Sequence, residues 1–305
     1  MHLRRSMEIR IRDFSDQDLP CLVRLVNEAY KEAYQFYPYN EERLRLWIKD
    51  GKLEILVAEA GGEFSGSAAY SDGQWGEEIE WLYVTKTQDR KIMENMLVNE
   101  IEKCIKRATV FTAVDARSPR EGEWEERGYR PDSGLYHMVA KLDRVKPLPN
   151  ALERVVLRSL RLDEEEGFVE AVNAGFGWQR VKMGDIQRWK SESPPFDEEW
   201  IQIAEIGNRI VSIVVAKPDT YYNRFFDGKR GYLGPATTLS EHRNRNLASA
   251  LTVQAMNFLV EKQMDSVALY TSEQNISSMT LLQKLGFETR HHWRFMRKNF
   301  SERKV

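Results

Sequence analysis

The fold of this chain is decided by one stretch, Thr237-Thr238-Leu239-Ser240-Glu241-His242-Arg243-Asn244-Arg245-Asn246-Leu247-Ala248-Ser249-Ala250-Leu251. Residues 231–239, which lead into this stretch and include its first three residues, are small, apolar or β-branched, which predicts a strand that ends here. The residues after it place Leu247, Leu251, Ala255, Phe258 and Leu259 on one face of a helix. The first N–H groups of a helix have no partner inside the helix. The turn that precedes this helix contains two arginines. The stretch therefore predicts an anion site, above all for a diphosphate.

The turn resembles the coenzyme A loop of the GCN5-related N-acetyltransferases, whose signature is Gln/Arg-x-x-Gly-x-Gly/Ala. Arg243 and Ala248 match its first and last marked positions, and Asn246 stands where the family has glycine. Glycine suits such a loop because it tolerates a positive φ, and asparagine is the next most tolerant residue. We therefore expect a left-handed Asn246, with a side chain that reduces phosphate affinity. The alternative interpretation of the loop is a solvated helix N-terminus.

A second motif follows about thirty residues later. Residues 265–271 predict another strand, and Asn275, a helix over 278–284 and Gly286-Phe287 come after it at the spacing of the family's next element. Gly286 suits the C-terminal cap of a helix, where a positive φ is needed, and Phe287 is expected to begin the next strand and pack inward. The two linked motifs, in the right order, predict the acetyltransferase fold for the second half of the chain.

The resemblance implies that the acyl donor is acetyl-CoA and that the acceptor is a primary amine. A strand N–H near Thr238 would polarise the thioester carbonyl, and much of the rate would come from holding the two reactants together. No metal is expected. The residues expected to hold the coenzyme are Thr237, Thr238, Arg243, Asn244, Arg245, Asn246, Leu247, Ala248, Ser249, Asn275 and Ser278.

The usual titrating groups of the family are missing from this half. Leu282 occupies the position of the family's tyrosine acid, and Tyr232 is the nearest counterpart of its strand glutamate. Tyr232 and Tyr270 are the candidate catalytic residues, as proton donors. The alternative for each is an ordinary core or edge residue of a strand. His242 and Glu241 are further substitutes, and His242 is more typical of a turn outside the cleft.

The order β-α-α-β-β-β-α-β-α-β is predicted twice along the chain, carried by the order of elements and not by residue identity. We therefore predict an α+β protein of two tandem acetyltransferase-like domains, each a mixed, mainly antiparallel sheet flanked by helices. The predicted domains are residues 1–144 and 151–305, joined by a linker at 145–150 that contains two prolines.

The first copy is degenerate at the ligand loop. Gln88 could stand at the first motif position, but Lys91 and Met93 occupy the positions of the two small residues. Their side chains hinder a close approach of the backbone to a diphosphate, and Asp89 repels phosphate. Arg127-Gly128-Tyr129 echoes the closing Gly-Phe. A structural partner that helps to shape the acceptor cleft is preferred over a second coenzyme site.

Composition narrows the class of protein. A formal net charge of -2 gives no overall attraction to nucleic acid, and two cysteines without metal-ligand spacing argue against a disulfide framework or a zinc site. The first residues lack a following apolar run, and no stretch approaches eighteen apolar residues, so we expect a soluble cytoplasmic protein without a membrane span. A monomer or a homodimer is compatible with tandem domains.

Three functions stay open at the level of sequence. The first is an acetyl-CoA-dependent N-acyltransferase acting by direct transfer to an unidentified small-molecule or protein amine, with the second domain active. The second is a catalytically silent acyl-CoA-binding or interaction module, which Leu282 favours. The third, RNA binding, rests on the alternating basic and aromatic residues 290–298, which fit a final strand with Trp293 and Phe295 inward better. Residues 221–227 are read as a packed loop in preference to an acceptor pocket.

Overall fold

A computed structural model describes residues 8–73, 76–149 and 154–300 of the chain. Their contacts define two compact units, one built from the residues up to Leu135 together with those from His292 onward, the other from Tyr136–His291. The domain limits at 144 and 151 stay a prediction, and residues 150–153 of that region lie outside the described residues. Lys146, inside the predicted linker, exchanges two 2.8 Å hydrogen bonds with the side chain of Asn257.

The secondary structure alternates as the sequence predicts. In the first half the elements are β1 (Ile9–Asp13), α1 (Leu19–Tyr30), α2 (Glu41–Lys49), β2 (Glu54–Ala60), β3 (Glu63–Gly73), β4 (Gly76–Val84), α3 (Arg90–Cys104), β5 (Thr109–Asp115), α4 (Pro119–Glu126) and β6 (Arg130–Lys141). In the second half they are β7 (Val156–Ser159), α5 (Glu165–Phe176), α6 (Asp185–Glu192), β8 (Ile201–Ile206), β9 (Arg209–Pro218), α7 (Thr220–Phe226), β10 (Arg230–Thr238), α8 (Leu247–Glu261), β11 (Ser266–Ser272), α9 (Ile276–Lys284) and β12 (Glu288–Asn299). The predicted order is therefore confirmed in both halves, with α7 added in the second.

Each unit has one mixed, mainly antiparallel sheet, as predicted. The strand order is β1-β2-β3-β4-β5-β12 in the first unit and β6-β11-β10-β9-β8-β7 in the second. The parallel pairs β4/β5 and β10/β11 stand among antiparallel neighbours. Each parallel pair is short: β4 and β5 are matched at two positions, and β10 and β11 at three.

The same ion cluster fixes the first strand and helix of both halves. In the first unit Arg12 bonds Asp18 at 2.7 Å and Glu59 at 2.7 Å. In the second unit Arg158 bonds Glu164 at 2.6 Å and Glu205 at 2.9 Å. The acids lie 6 and 47 residues after the arginine in both cases. The duplication is therefore visible in conserved spacing of individual residues as well as in the order of elements. This corrects the expectation that only the order of elements carries it.

Two local expectations from the sequence are wrong. Residues 221–226 form most of helix α7 instead of a loop; Asp219 caps the start of the helix, and Asp227 follows its end with a φ of 49°. In β12 the fully buried side chain is Met296, at 0% exposure, while Trp293 and Phe295 on the opposite face are only half-buried. Met296 joins the core of the first unit with residues of α3 and the central strands.

Candidate functional site

The two central strands of the second unit separate along their length. β10 and β11 pair in parallel only from Arg230/Ser266 to Tyr232/Ala268. Beyond that point the register of β10 against β9 shifts between Leu233 and Ala236, and a bulge of this kind bends its strand. Of the described strand residues, those of β10 after Tyr232 therefore face β11 without ladder bonds. We call the space between β10 and β11 beyond this point the gap.

The backbone of β10 presents N–H groups to this gap. Leu239 N–H donates to Val211 O at 2.9 Å, which identifies this antiparallel pair as a hydrogen-bonded one. Because such pairs alternate along an antiparallel ladder, the N–H of the preceding residue, Thr238, points away from β9 and toward the gap. Ser212 holds this end of the strand, since its hydroxyl donates to Thr237 O at 3.0 Å and lies 2.7 Å from Thr238 Oγ1.

The turn that follows β10 has the conformation expected from its asparagines. Asn244 and Asn246 both have a positive φ, of 62° and 58°, and Asn246 is the residue before the first turn of α8. The predicted left-handed conformation of Asn246 is therefore the one found. Its side chain makes no capping bond, and the first turn of α8 contains no acidic residue.

The amides of this turn are available to a ligand. Among the described residues, none of the six backbone N–H groups from Asn244 to Ser249 donates a hydrogen bond to the protein. Four of these residues are largely exposed, and the hydrophobic face of α8 is held below by the buried Leu247 and Leu251. Free N–H groups that converge at a helix N-terminus carry the positive end of the helix dipole, which is the environment that a phosphate requires.

The two arginines of the loop have different surroundings. Arg243 donates to Thr238 O and to Gly175 O, both at 3.2 Å, so its guanidinium fastens the turn to β10 and to the end of α5. Arg245 lies 3.2 Å from His242 Nδ1, and Glu241 forms a 3.1 Å ion pair with Arg209. His242 and Glu241 therefore each have an arginine partner, Arg245 in the loop and Arg209 on β9.

The second motif is found at its predicted place. Asn275 caps α9 by accepting the Ser278 N–H at 3.1 Å, Gly286 has a φ of 91° after the helix, and Phe287 is buried one residue before β12 begins. Leu282 is buried in the hydrophobic core, so this helix offers no hydroxyl at the position of the family's acid. The coenzyme-binding role of Asn275 and Ser278 stays a prediction.

The two candidate tyrosines lie on one face, at the point where the strands separate. Tyr232 is on the last matched pair of β10, and the Tyr270 ring on β11 lies 6.0 Å from the Tyr232 ring. Burial raises the pKa of the Tyr232 hydroxyl above its ordinary value, which keeps it protonated. Tyr270 is 44% exposed, and its ring lies 4.7 Å from His137 of β6. Burial, with Arg230 and His291 nearby, lowers the pKa of His137 to about 4.

Sequence reasoning missed Lys217, the partner of Tyr232 across the β9/β10 pair. Its ammonium lies 5.3 Å from the Tyr232 ring centre and 5.7 Å from that of Trp189 on α6. Desolvation lowers the pKa of Lys217. The sequence signal that could have identified it is a lysine near the end of a mostly apolar strand, since the seven residues before it in β9 are buried.

The corresponding region of the first unit is filled by its own side chains. Glu94, one turn into α3, is 1% exposed and bonds Arg90 at 2.9 Å, Arg120 at 3.1 Å and Arg127 at 2.7 Å. The Tyr30 hydroxyl, from the end of α1, lies 3.4 Å from both the N and the O of Leu82 on β4. The positive end of α3 thus already faces a carboxylate and its arginines.

The position that matches Tyr232 in the first unit is Glu78. Glu78 is in register with Phe111 on β5, as Tyr232 is with Ala268 on β11, each at the last matched pair. Burial and the charge of Glu80 raise the pKa of Glu78 to about 8. The carboxyl group expected at this position of the fold is therefore present in the unit whose loop is degenerate.

The described residues contain no group of three or more histidines, cysteines, aspartates or glutamates arranged to hold a metal ion. None of their helices is both long enough and apolar enough to cross a bilayer.

Comparison with known proteins agrees with this fold. A profile described as "Acetyltransferase (GNAT) family" matches residues 157–287, which contain the loop and both motifs. N-alpha-acetyltransferase 30 of Xenopus laevis is 30% identical over 194 residues, covering 53% of this chain and 69% of the relative.

Solved structures extend the likeness of fold to both halves. A GCN5-related N-acetyltransferase from Sphaerobacter thermophilus aligns with a TM-score of 0.70 at 19% identity, covering 96% of each chain. A tandem GNAT protein from the clavulanic acid biosynthesis pathway aligns with a TM-score of 0.64 at 14% identity, covering 96% of this chain and 99% of that one. The two halves of this chain therefore share the fold of these tandem structures. The chain belongs to the GNAT acetyltransferase family.

Proposed function

We propose that this protein is an acetyl-CoA-dependent N-acyltransferase that transfers the acyl group directly to a primary amine in a ternary complex, in its second unit. The observation that carries the proposal is the run of six free N–H groups from Asn244 to Ser249 beside the separated strands β10 and β11. The N–H groups would bind the coenzyme diphosphate, and the gap would receive its extended arm. The thioester would then lie beside the part of β10 that follows Tyr232 and makes no ladder bonds with β11.

The chemistry then needs little from titrating side chains. The Thr238 N–H, which points toward the gap, would donate to the thioester carbonyl and stabilise the negative charge that develops there. As the C–N bond forms and the C–S bond breaks, the protonated Tyr232 hydroxyl, or that of Tyr270, would give a proton to the leaving thiolate, and the proton lost by the amine nitrogen would restore it through solvent. The remaining acceleration comes from holding the amine against the thioester.

The first unit would have a structural role. The Arg90 N–H donates to Thr87 O at 3.3 Å, and Glu94 with its three arginines occupies the start of α3. A diphosphate there would meet a buried carboxylate and displace arginines from existing ion pairs, which is unfavourable. We therefore expect a single coenzyme site per chain.

To test which helix binds the coenzyme diphosphate, a negative charge is introduced in the first turn of α8 in one variant and of α3 in another. Ala248→Glu puts a carboxylate in the first turn of α8, where it stabilises the helix dipole but repels a diphosphate. We expect unchanged thermal stability, a loss of coenzyme A affinity of at least tenfold by calorimetry, and a matching rise in KM for acetyl-CoA. The control, Ile92→Glu, introduces the same carboxylate at an exposed position in the first turn of α3 and should change neither the affinity for coenzyme A nor the KM for acetyl-CoA.

The name of the Xenopus relative describes an N-alpha-acetyltransferase, so peptide α-amines belong in the acceptor panel beside small amines and amino sugars. Coenzyme affinity lost in Ile92→Glu and kept in Ala248→Glu would move the site to the first unit. Absence of any binding of coenzyme A at millimolar concentration would refute the acyl-transfer function.

The second candidate is a silent acyl-CoA-binding module, favoured by the burial of Leu282 where the family has its acid. It predicts coenzyme binding without transfer to any amine or to water. Turnover of labelled acetyl-CoA that Ala248→Glu abolishes would exclude it.

A further inference from the structure

Lys217 is a desolvated cation without a counter-ion at the site. Its side chain is half-buried between the rings of Trp189 and Tyr232, at 5.7 and 5.3 Å from their centres. Among the described residues its ammonium has no hydrogen bond and no ion pair, and it makes cation–π contacts with these two rings. Most lysines in such surroundings are paired, because burying an uncompensated charge costs free energy.

The acids near Lys217 are already committed to other cations. Asp219 pairs with Arg230 at 2.8 Å, and Glu192 pairs with Arg188 at 3.2 Å. Arg180, which stacks on Phe176 and Trp178 in the segment between α5 and α6, adds positive potential at both Lys217 and Tyr232. The acids Asp219 and Glu192 therefore each already have an arginine partner.

The position of this charge relates it to the reaction. Lys217 is on β9, directly opposite Tyr232 on β10, and the gap that would hold the thioester opens between β10 and β11. Neighbouring strands are about 4.8 Å apart, so the ammonium lies about 5–10 Å from a group in the gap. An acceptor of that length would reach both points at once.

We propose that Lys217 binds an anionic group of the acceptor, a carboxylate or a phosphate, and thereby selects amines that carry a negative charge a few bonds from the nitrogen. This inference rests on the proposed function and assigns its acceptor class. The ligand anion would supply the counter-charge that the protein lacks. The lowered pKa of Lys217 agrees with an ammonium awaiting a partner, since an adjacent anion would raise it again.

The experiment compares matched acceptors that differ only in charge. One arm uses amino acids against their amides, including β-alanine against β-alaninamide, and the other uses O-phosphoethanolamine against ethanolamine. We expect the anionic member of at least one pair to have a kcat/KM at least tenfold higher, and the arm in which this occurs identifies the anion. Equal or higher values for the neutral members in both arms would overturn the proposal.

Variants then assign the preference to one residue. Lys217→Met keeps the apolar stem and removes the charge, and should raise KM for the anionic acceptor at least tenfold while changing the neutral one less than twofold. Lys217→Arg should retain the preference, and Lys284→Met, an exposed lysine on α9, is the control. A purely structural role would instead lower kcat/KM for both members equally, and this would overturn the proposal.

The failures of the two proposals are distinguishable. If neutral and anionic amines are acetylated equally well, the proposed role of Lys217 is refuted and the proposed acyltransferase function is supported. Coenzyme A binding measured on each variant shows that the fold is preserved. If no amine in either series is acetylated, both proposals fall.

Discussion

Gly175, near the end of α5, lies where this helix crosses the end of β10, and Gly175→Ala tests the packing that positions the coenzyme loop. A Cβ at this residue would lie 2.3 Å from Thr237 Oγ1, 2.8 Å from its Cγ2 and 3.1 Å from its Cβ. Rotation of the Thr237 side chain gives no relief, because both of its branches and its own Cβ are inside contact distance. The helix or the strand must move.

Two opposing effects set the magnitude. Alanine is favoured over glycine inside a helix by about 1 kcal/mol. Overpacking of a well-packed site costs about 1–3 kcal/mol. Because two of the three contacts are shorter than any ordinary carbon contact, we place the cost at the upper end and expect a net loss of about 1–2 kcal/mol in the free energy of unfolding.

The loop should respond as well. Gly175 O accepts a hydrogen bond from Arg243, which also bonds Thr238 O, so a shift of α5 pulls on the turn between β10 and α8. We expect KM for acetyl-CoA to rise several-fold in Gly175→Ala.

Equilibrium urea denaturation measures the first effect, and a second glycine of the same helix controls it. A Cβ on Gly167 would lie 3.6 Å from Ile210 Cδ1, an ordinary contact, so Gly167→Ala should gain up to about 1 kcal/mol from helix propensity alone. In Gly175→Ala/Thr237→Ala the two closest atoms, Oγ1 and Cγ2, are gone and only the 3.1 Å approach to the Cβ of residue 237 remains, so most of the loss should be recovered. A stability of Gly175→Ala equal to that of Gly167→Ala, or a double variant no more stable than Gly175→Ala, would refute the packing argument.

Three further predictions concern pH and the loop. Burial raises the pKa of Glu78 to about 8, so the fold binds a proton that the unfolded chain releases near pH 4.5, and stability should fall as pH rises through this window. Glu78→Gln should remove the slope and gain about 1–3 kcal/mol at pH 8 in urea denaturation; an equal gain at pH 5 and 8 would contradict this. The pKa of His137 is lowered to about 4, so stability should fall as pH drops from 6.5 toward 4, and His137→Gln should flatten the thermal midpoints measured across that range; an unchanged slope would contradict it. Asn246→Gly should bind coenzyme A more tightly in calorimetry and Asn246→Ala less tightly, by about 1 kcal/mol, because alanine is strained at a φ of 58°; the reverse order would mean that the asparagine side chain contacts the ligand.

The sequence best predicts those structural features that depend on residues close together along the chain. The end of β10, the left-handed Asn246 and the start of α8 all follow from residue types within one short stretch, because φ preference and helix initiation are local properties. Gly286 and the cap by Asn275 follow for the same reason.

What the sequence does not show depends on pairs that are distant along it. Lys217 matters because β9 places it opposite Tyr232, and the register of two strands is not written in either one alone. Helix α7 was missed because its aromatic residues do not follow a buried helical face: none of its residues is buried, and local capping by Asp219 defines it instead. The paired ion clusters around Arg12 and Arg158 were visible as equal spacings, but only a comparison of the two halves residue by residue would have found them.

The two halves show that framework and site have diverged separately. The arginine clusters are retained at identical spacing in both, and α1 and α5 have the same length of 12 residues. At the site the changes in the first unit occur together: Tyr30 contacts the backbone of β4, and Glu94 gathers three arginines at the start of α3. Glu94 and its three arginines compensate one another's charges, so each stabilises the others in place. Changing the loop residues Lys91 and Met93 to glycine would leave that cluster intact, and the degenerate loop is therefore one part of a repacked site whose conversion requires several replacements at once.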